Sequence, residues 1–169
     1  MRSPTPKYSY HKWRNDHGGA LVEFAIVLPL LLILVFGIIE FSLLFHNKAI
    51  LSDASREAAR RGIVQSYDES PAYPTESDIR DFVNEYLFPD NKSRLISFGT
   101  NFDKDNGTIV KWYDKDGNEI DEKDVSSGDK LVVTVEYNYK FLVISNLISL
   151  TGIADGKIKL QGTTSMRLL

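Results

Sequence analysis

The chain has 169 residues, of which 43% are hydrophobic and 25% charged, with a formal net charge of −3. It has no cysteine, which excludes disulfides, thiolate metal sites and cysteine nucleophiles. Up to Arg61 there are 8 Lys/Arg against 5 Asp/Glu, and beyond it 12 against 18, so the distal part is acidic and poorly suited to nucleic acid.

Residues 1–18 are polar, with Arg2, Lys7, Lys12 and Arg14 opposed only by Asp16. The following stretch, residues 21–45, is apolar apart from Glu23 near its start and Glu40 near its end. At about 1.5 Å per residue these two carboxylates stand roughly 25 Å apart along a helix, near the two edges of a hydrocarbon layer. The spacing predicts a transmembrane helix. A secretory signal shares the basic leader and the apolar run, but Ser42-Leu43-Leu44-Phe45-His46 offers no small-x-small cleavage site. A buried core helix fits worse, because so little chain remains to cover it. The basic leader places the N-terminus in the cytoplasm, although Lys48, Arg56, Arg60 and Arg61 reduce the asymmetry. Glu40, beside Phe41, Phe45 and His46, reads as an interfacial residue.

Beyond the span, residues 49–61 are rich in helix formers and contain neither Pro nor Gly, so the helix is expected to continue to a C-cap at Gly62. Residues 63–74, with Pro71 and Pro74, read as a linker. Thr75 then caps a short helix with Asp78 three residues on. Ile79, Phe82, Val83, Tyr86 and Leu87 share one face of it, and Pro89-Asp90-Asn91 ends it. Strands are expected at 94–100, 108–113, 130–141 and 157–168, separated by Gly/Asp/Asn-rich turns. Tyr137, Tyr139 and Phe141 alternate onto one sheet face and read as core. Residues 141–150 are apolar but too short to span a bilayer.

The fold class expected is therefore α+β: a long N-terminal transmembrane helix followed by a small extracytoplasmic domain with one short helix on an antiparallel sheet. The domain boundaries are 1–18 for the cytoplasmic leader, 19–62 for the membrane and stalk helix, 63–74 for the linker and 75–169 for the distal domain.

Catalytic chemistry finds little support. The three histidines, His11, His17 and His46, flank the apolar stretch, which leaves none in the distal domain to activate a serine. Neither a nucleophile elbow nor a phosphate loop is present. Asn101-Phe102-Asp103-Lys104-Asp105-Asn106-Gly107 has the alternating oxygens of a calcium loop, but its glycine is one place late and Trp112 stands where the closing glutamate belongs. Asp114-Lys115-Asp116-Gly117-Asn118 has its glycine too early. Both read as hairpin turns, and no cofactor or metal is expected.

Two stretches together resemble the TadE-like family of tight-adherence (Flp-type) pilus systems. The first is Gly18-Gly19-Ala20-Leu21-Val22-Glu23-Phe24, running into a Pro-containing apolar helix with Gly37-Ile38-Ile39-Glu40-Phe41 and continuing through Ala54-Ser55-Arg56-Glu57-Ala58-Ala59-Arg60. The second runs from Gly128-Asp129-Lys130-Leu131 through Glu136-Tyr137 and closes on Thr163-Thr164-Ser165-Met166-Arg167. The resemblance implies a minor pilin or pseudopilin cut by a membrane prepilin peptidase between Gly18 and Gly19, with Glu23 as the fifth mature residue and Phe24 beside it. It also implies an inner-membrane location, other pilin and pseudopilin subunits as partners, and no enzymatic activity. The physical sense of Glu23 is that a carboxylate in a membrane helix is costly unless paired, and a newly freed amine on a neighbouring subunit supplies the countercharge. The competing reading is an uncleaved, membrane-tethered binding or adhesion module.

Overall fold

The structure, a computed structural model, describes residues 16–68, 74–97, 101–142 and 156–168. It contains α1 (Asp16–Asp68), α2 (Glu76–Leu87), β1 (Thr108–Tyr113), β2 (Glu119–Ile120), β3 (Lys130–Lys140) and β4 (Lys157–Arg167). The chain divides into two compact units, Met1–Phe36 and Gly37–Leu169.

In the first unit the described residues are helical, and the helix runs on through Pro29. Leu21, Phe24, Ile26, Leu30, Ile33 and Leu34 are all exposed. A helix that is hydrophobic all round is built for a non-aqueous environment or for the inside of a bundle. It is the one described helix long and apolar enough to cross a membrane, and none of its most apolar window is buried against the rest of the chain.

The second unit is an α+β domain. Its sheet is antiparallel throughout, in the order β2-β1-β3-β4. The long pairing joins β3 and β4 from Lys130↔Arg167 to Lys140↔Lys157. Along β3 every second residue, Leu131, Val133, Val135, Tyr137 and Tyr139, is buried, as the period of two in a half-covered strand requires. Burying each such side chain stabilises the fold by about 1.5–3 kcal/mol. Ile79, Val83 and Leu87 of α2 join the same core, together with Leu51, Ala54, Ala58 and Ala59 of α1.

The start of α2 matches its sequence signature. The Thr75 hydroxyl accepts from the Asp78 amide while the Asp78 carboxylate accepts from the Thr75 amide, forming a capping box. After Leu87 the chain passes through Asp90 and Asn91, both at positive φ (52° and 59°), which short Asx side chains tolerate. Strands β1, β3 and β4 fall where alternation placed them, ending within a residue of the expected bounds.

Three expectations need correction. Gly62 lies inside α1, which continues to Asp68. There its missing side chain makes room for Leu131, whose Cδ2 would stand 2.5 Å from a Cβ. The described part of the predicted 94–100 strand, residues 94–97, is not in the sheet. Conversely, β2 was not foreseen, because two residues carry no readable alternation. The rest of the expected linker (69–73) and residues 143–150 of the apolar segment fall outside the described residues.

Candidate assembly site

The predicted processing residues sit at the start of α1. Gly18 and Gly19 are in its first turns, with nothing within 4 Å of where a Cβ would stand. Glu23 and Phe24 are exposed. Gly19 and Glu23 are four residues apart and therefore share one face of the helix, whereas Phe24 points about 100° away from that face. The arrangement offers an open peptide bond, then a carboxylate one turn on, then an uninterrupted apolar surface.

A second constellation lies further along α1, within the second unit, and sequence reasoning missed it. Glu40 is only 1% exposed. Its Oε1 accepts from the Tyr139 hydroxyl at 3.1 Å and from the Leu142 amide. Glu40 is therefore not an interfacial side chain in water but a buried acceptor at the end of β3. A buried carboxylate survives only with such partners. Burial, the adjacent Glu40 charge and the bond to it together push the Tyr139 hydroxyl above the ordinary tyrosine pKa.

Two turns on, Asn47 is completely buried. Its amide nitrogen donates to the Ile96 carbonyl and its oxygen accepts from the Ile96 amide, both at 2.8 Å. The side chain thus satisfies both backbone groups of Ile96 as a neighbouring strand would, although 94–97 lies outside the sheet. Lys48 donates to the Gln161 carbonyl. Ser55 shares a 2.8 Å hydrogen bond with Thr164 of β4. Between these contacts the helix approaches β4 so closely that a Cβ on Gly162 would stand 2.4 Å from the Leu51 carbonyl oxygen. From Asn47 the buried Leu51, Ala54, Ala58 and Gly62 recur every three or four residues, with Ser55 beside Ala54 and Glu40 two turns before, marking one face of α1. The signal that would have found them is polar and small residues at helical spacing, rather than an apolar stripe.

The two Asp/Asn/Gly loops spend their oxygens on the chain itself. Asp103 accepts from the amides of Asp105 and Asn106, which holds its carboxyl below the usual range; the Asn106 amide contributes most. This turn leads into β1 and is not a hairpin. Asp114 accepts from Asp116 and Asn118, with Gly117 at φ 91°, and this one does close the β1–β2 hairpin. A polar cleft of 490 Å³ lies between the start of α2 and β2. Its charges are largely paired, Arg80 with Glu76 and Lys111 with Glu119.

Comparison with protein families matches residues 18–60 to the family described as TadE-like protein, the stretch that carries both constellations on α1 apart from Gly62. Comparison with curated proteins and comparison with solved structures each return no match.

Proposed function

We propose, taking the TadE-like character of residues 18–60 as the premise, that this chain is a minor pilin or pseudopilin of a Flp-type, tight-adherence pilus, a structural subunit rather than an enzyme. The observation that carries the reading is the join of two features on one helix. An apolar surface exposed on every side begins within a few residues of Gly18-Gly19, and the carboxylate Glu23 stands alone within it.

In this reading a prepilin peptidase cuts between Gly18 and Gly19. Cleavage leaves a free amine on Gly19 at the new helix N-terminus, where unpaired N–H groups and the helix dipole already concentrate positive charge. Glu23, one turn away, is stabilised by that charge within its own subunit, and in an assembly by the amine of a neighbour. Outside an assembly the apolar stretch is stored in the inner membrane, with the leader in the cytoplasm and the sheet domain on the far side. Phe24 and the leucines and isoleucines after it pack against the helices of other pilin and pseudopilin subunits, while the sheet domain meets the assembly machinery and partner subunits outside the membrane.

The uncleaved tethered module remains the second reading, favoured by one observation: Gly18 and Gly19 are helical, and a peptidase needs the scissile bond unwound. The N-terminus of membrane-extracted protein, sequenced from cells with and without a prepilin peptidase, decides between them. A chain beginning at Gly19 only when the peptidase is present supports the pilin reading. The same unprocessed N-terminus in both samples refutes it.

A further inference from the structure

The end of the sheet that holds Glu40 carries a group of side chains that the assembly reading leaves unused. Phe41 and Phe45, one helical turn apart on α1, are 54% and 67% exposed. Leu142, whose amide donates to Glu40, is 41% exposed. Ile158, the cross-strand partner of Tyr139, is also 41% exposed. These four large apolar side chains lie on or next to the elements that bury Glu40, and none belongs to the hydrophobic core of the described residues. Gathered where α1 meets the end of the β3–β4 ladder, they differ from apolar residues scattered singly over a surface.

At the same end of the sheet, on its other face, stand two lysines. Lys140 and Lys157 are directly opposite each other at the last pair of the β3–β4 ladder. Like charges in that position destabilise a sheet. Among the described residues neither forms an ion pair, and Glu136, which shares their sheet face, is already taken by Lys159 at 2.6 Å. An external anion placed between the two ammonium groups removes the repulsion.

We propose that Phe41, Phe45, Leu142 and Ile158, with Lys140 and Lys157, form a collar that rests on the surface of an anionic bilayer. The inference rests on the reading that the preceding apolar stretch spans a membrane. Apolar side chains that enter the headgroup layer and lysines that reach anionic headgroups are the two components of interfacial binding. Long lysine stems let the charge stay with the phosphates while the methylenes lie along apolar surface. The sequence position of the collar supports a lipid over a protein partner: Phe41 and Phe45 lie at the end of the same 21–45 stretch that is read as spanning the membrane, interrupted near there only by the buried Glu40.

The test uses the full chain in nanodiscs of phosphatidylcholine alone or mixed with phosphatidylglycerol. Because the chain has no cysteine, single variants Leu142→Cys, Ile158→Cys, Lys115→Cys and Leu31→Cys accept a nitroxide label, and collision with oxygen and with a water-soluble nickel complex reports depth. The expected result is nickel access at 142 and 158 several-fold below that at 115, falling further with phosphatidylglycerol. The double variant Lys140→Glu/Lys157→Glu, with its circular dichroism melt as a fold check, should lose the phosphatidylglycerol-dependent part. Labels at 142 and 158 as accessible as the one at 115, with the label at 31 in hydrocarbon, overturn the collar and leave a protein partner for it. A label at 31 in water overturns the membrane-spanning reading itself, and the collar with it.

Discussion

Residues 21–39 and 40–62 belong to one helix, yet they follow opposite rules. In the first stretch the side chains are almost uniformly large and apolar, and they are exposed. In the second, the fully buried face is made largely of small and polar groups, Glu40, Asn47, Ala54, Ser55, Ala58 and Gly62 around Leu51, with Leu43, Leu44 and Ile50 partly buried against the core. Large apolar Phe41 and Phe45 are left outside. The difference teaches that hydrophobicity and burial separate when a helix serves two environments. Where the surroundings are expected to be lipid or neighbouring helices, an apolar residue marks the outside. Where the helix meets its own sheet at close range, small residues set the distance and polar residues set the register.

The comparison can be broken by substitution. Leu51→Ala should cost about 2–5 kcal/mol, because Leu51 is the large apolar group anchoring this face; denaturant unfolding of the detergent-solubilised chain, followed by circular dichroism, measures it. Asn47→Ala comes next, at about 1–3 kcal/mol, since it strands both the amide and the carbonyl of Ile96. It should also raise hydrogen exchange at Ile96 selectively. Thr75→Ala, outside α1, calibrates an ordinary local contact at about 1 kcal/mol, the usual worth of a helix cap. The smallest effect is the sharpest: Leu31→Ala should leave unfolding of the sheet domain within about 0.5 kcal/mol of the parent, as for any side chain away from the packed core. A large loss there would mean that the two stretches are not energetically distinct.

Much of the domain was legible because its elements carry strong local signals. Thr75 with Asp78, the alternation from Leu131 to Tyr139, and the turn chemistry around Asp114 each depend on a few neighbouring residues. What escaped depends on distant ones. Nothing adjacent to Glu40 shows that Tyr139, ninety-nine positions away, donates to it. Gly62 looks like a helix stop until Leu131 is placed against it. The 94–100 segment has the composition of a strand, and its backbone groups at Ile96 do find partners, but on an asparagine side chain. Gly18, Gly19, Glu23 and Phe24 were legible only as a motif, since exposed residues leave no packing signature.

The Asn47 clamp on Ile96 has a consequence beyond stability. An extended segment with free backbone groups is a template on which another chain can lay down a strand. The asparagine occupies both groups of Ile96, and on the edge strand β4 Lys48 holds the Gln161 carbonyl. These two side chains therefore act as blunted ends: they occupy backbone groups on which a second chain could otherwise begin a strand, and so discourage growth through the sheet.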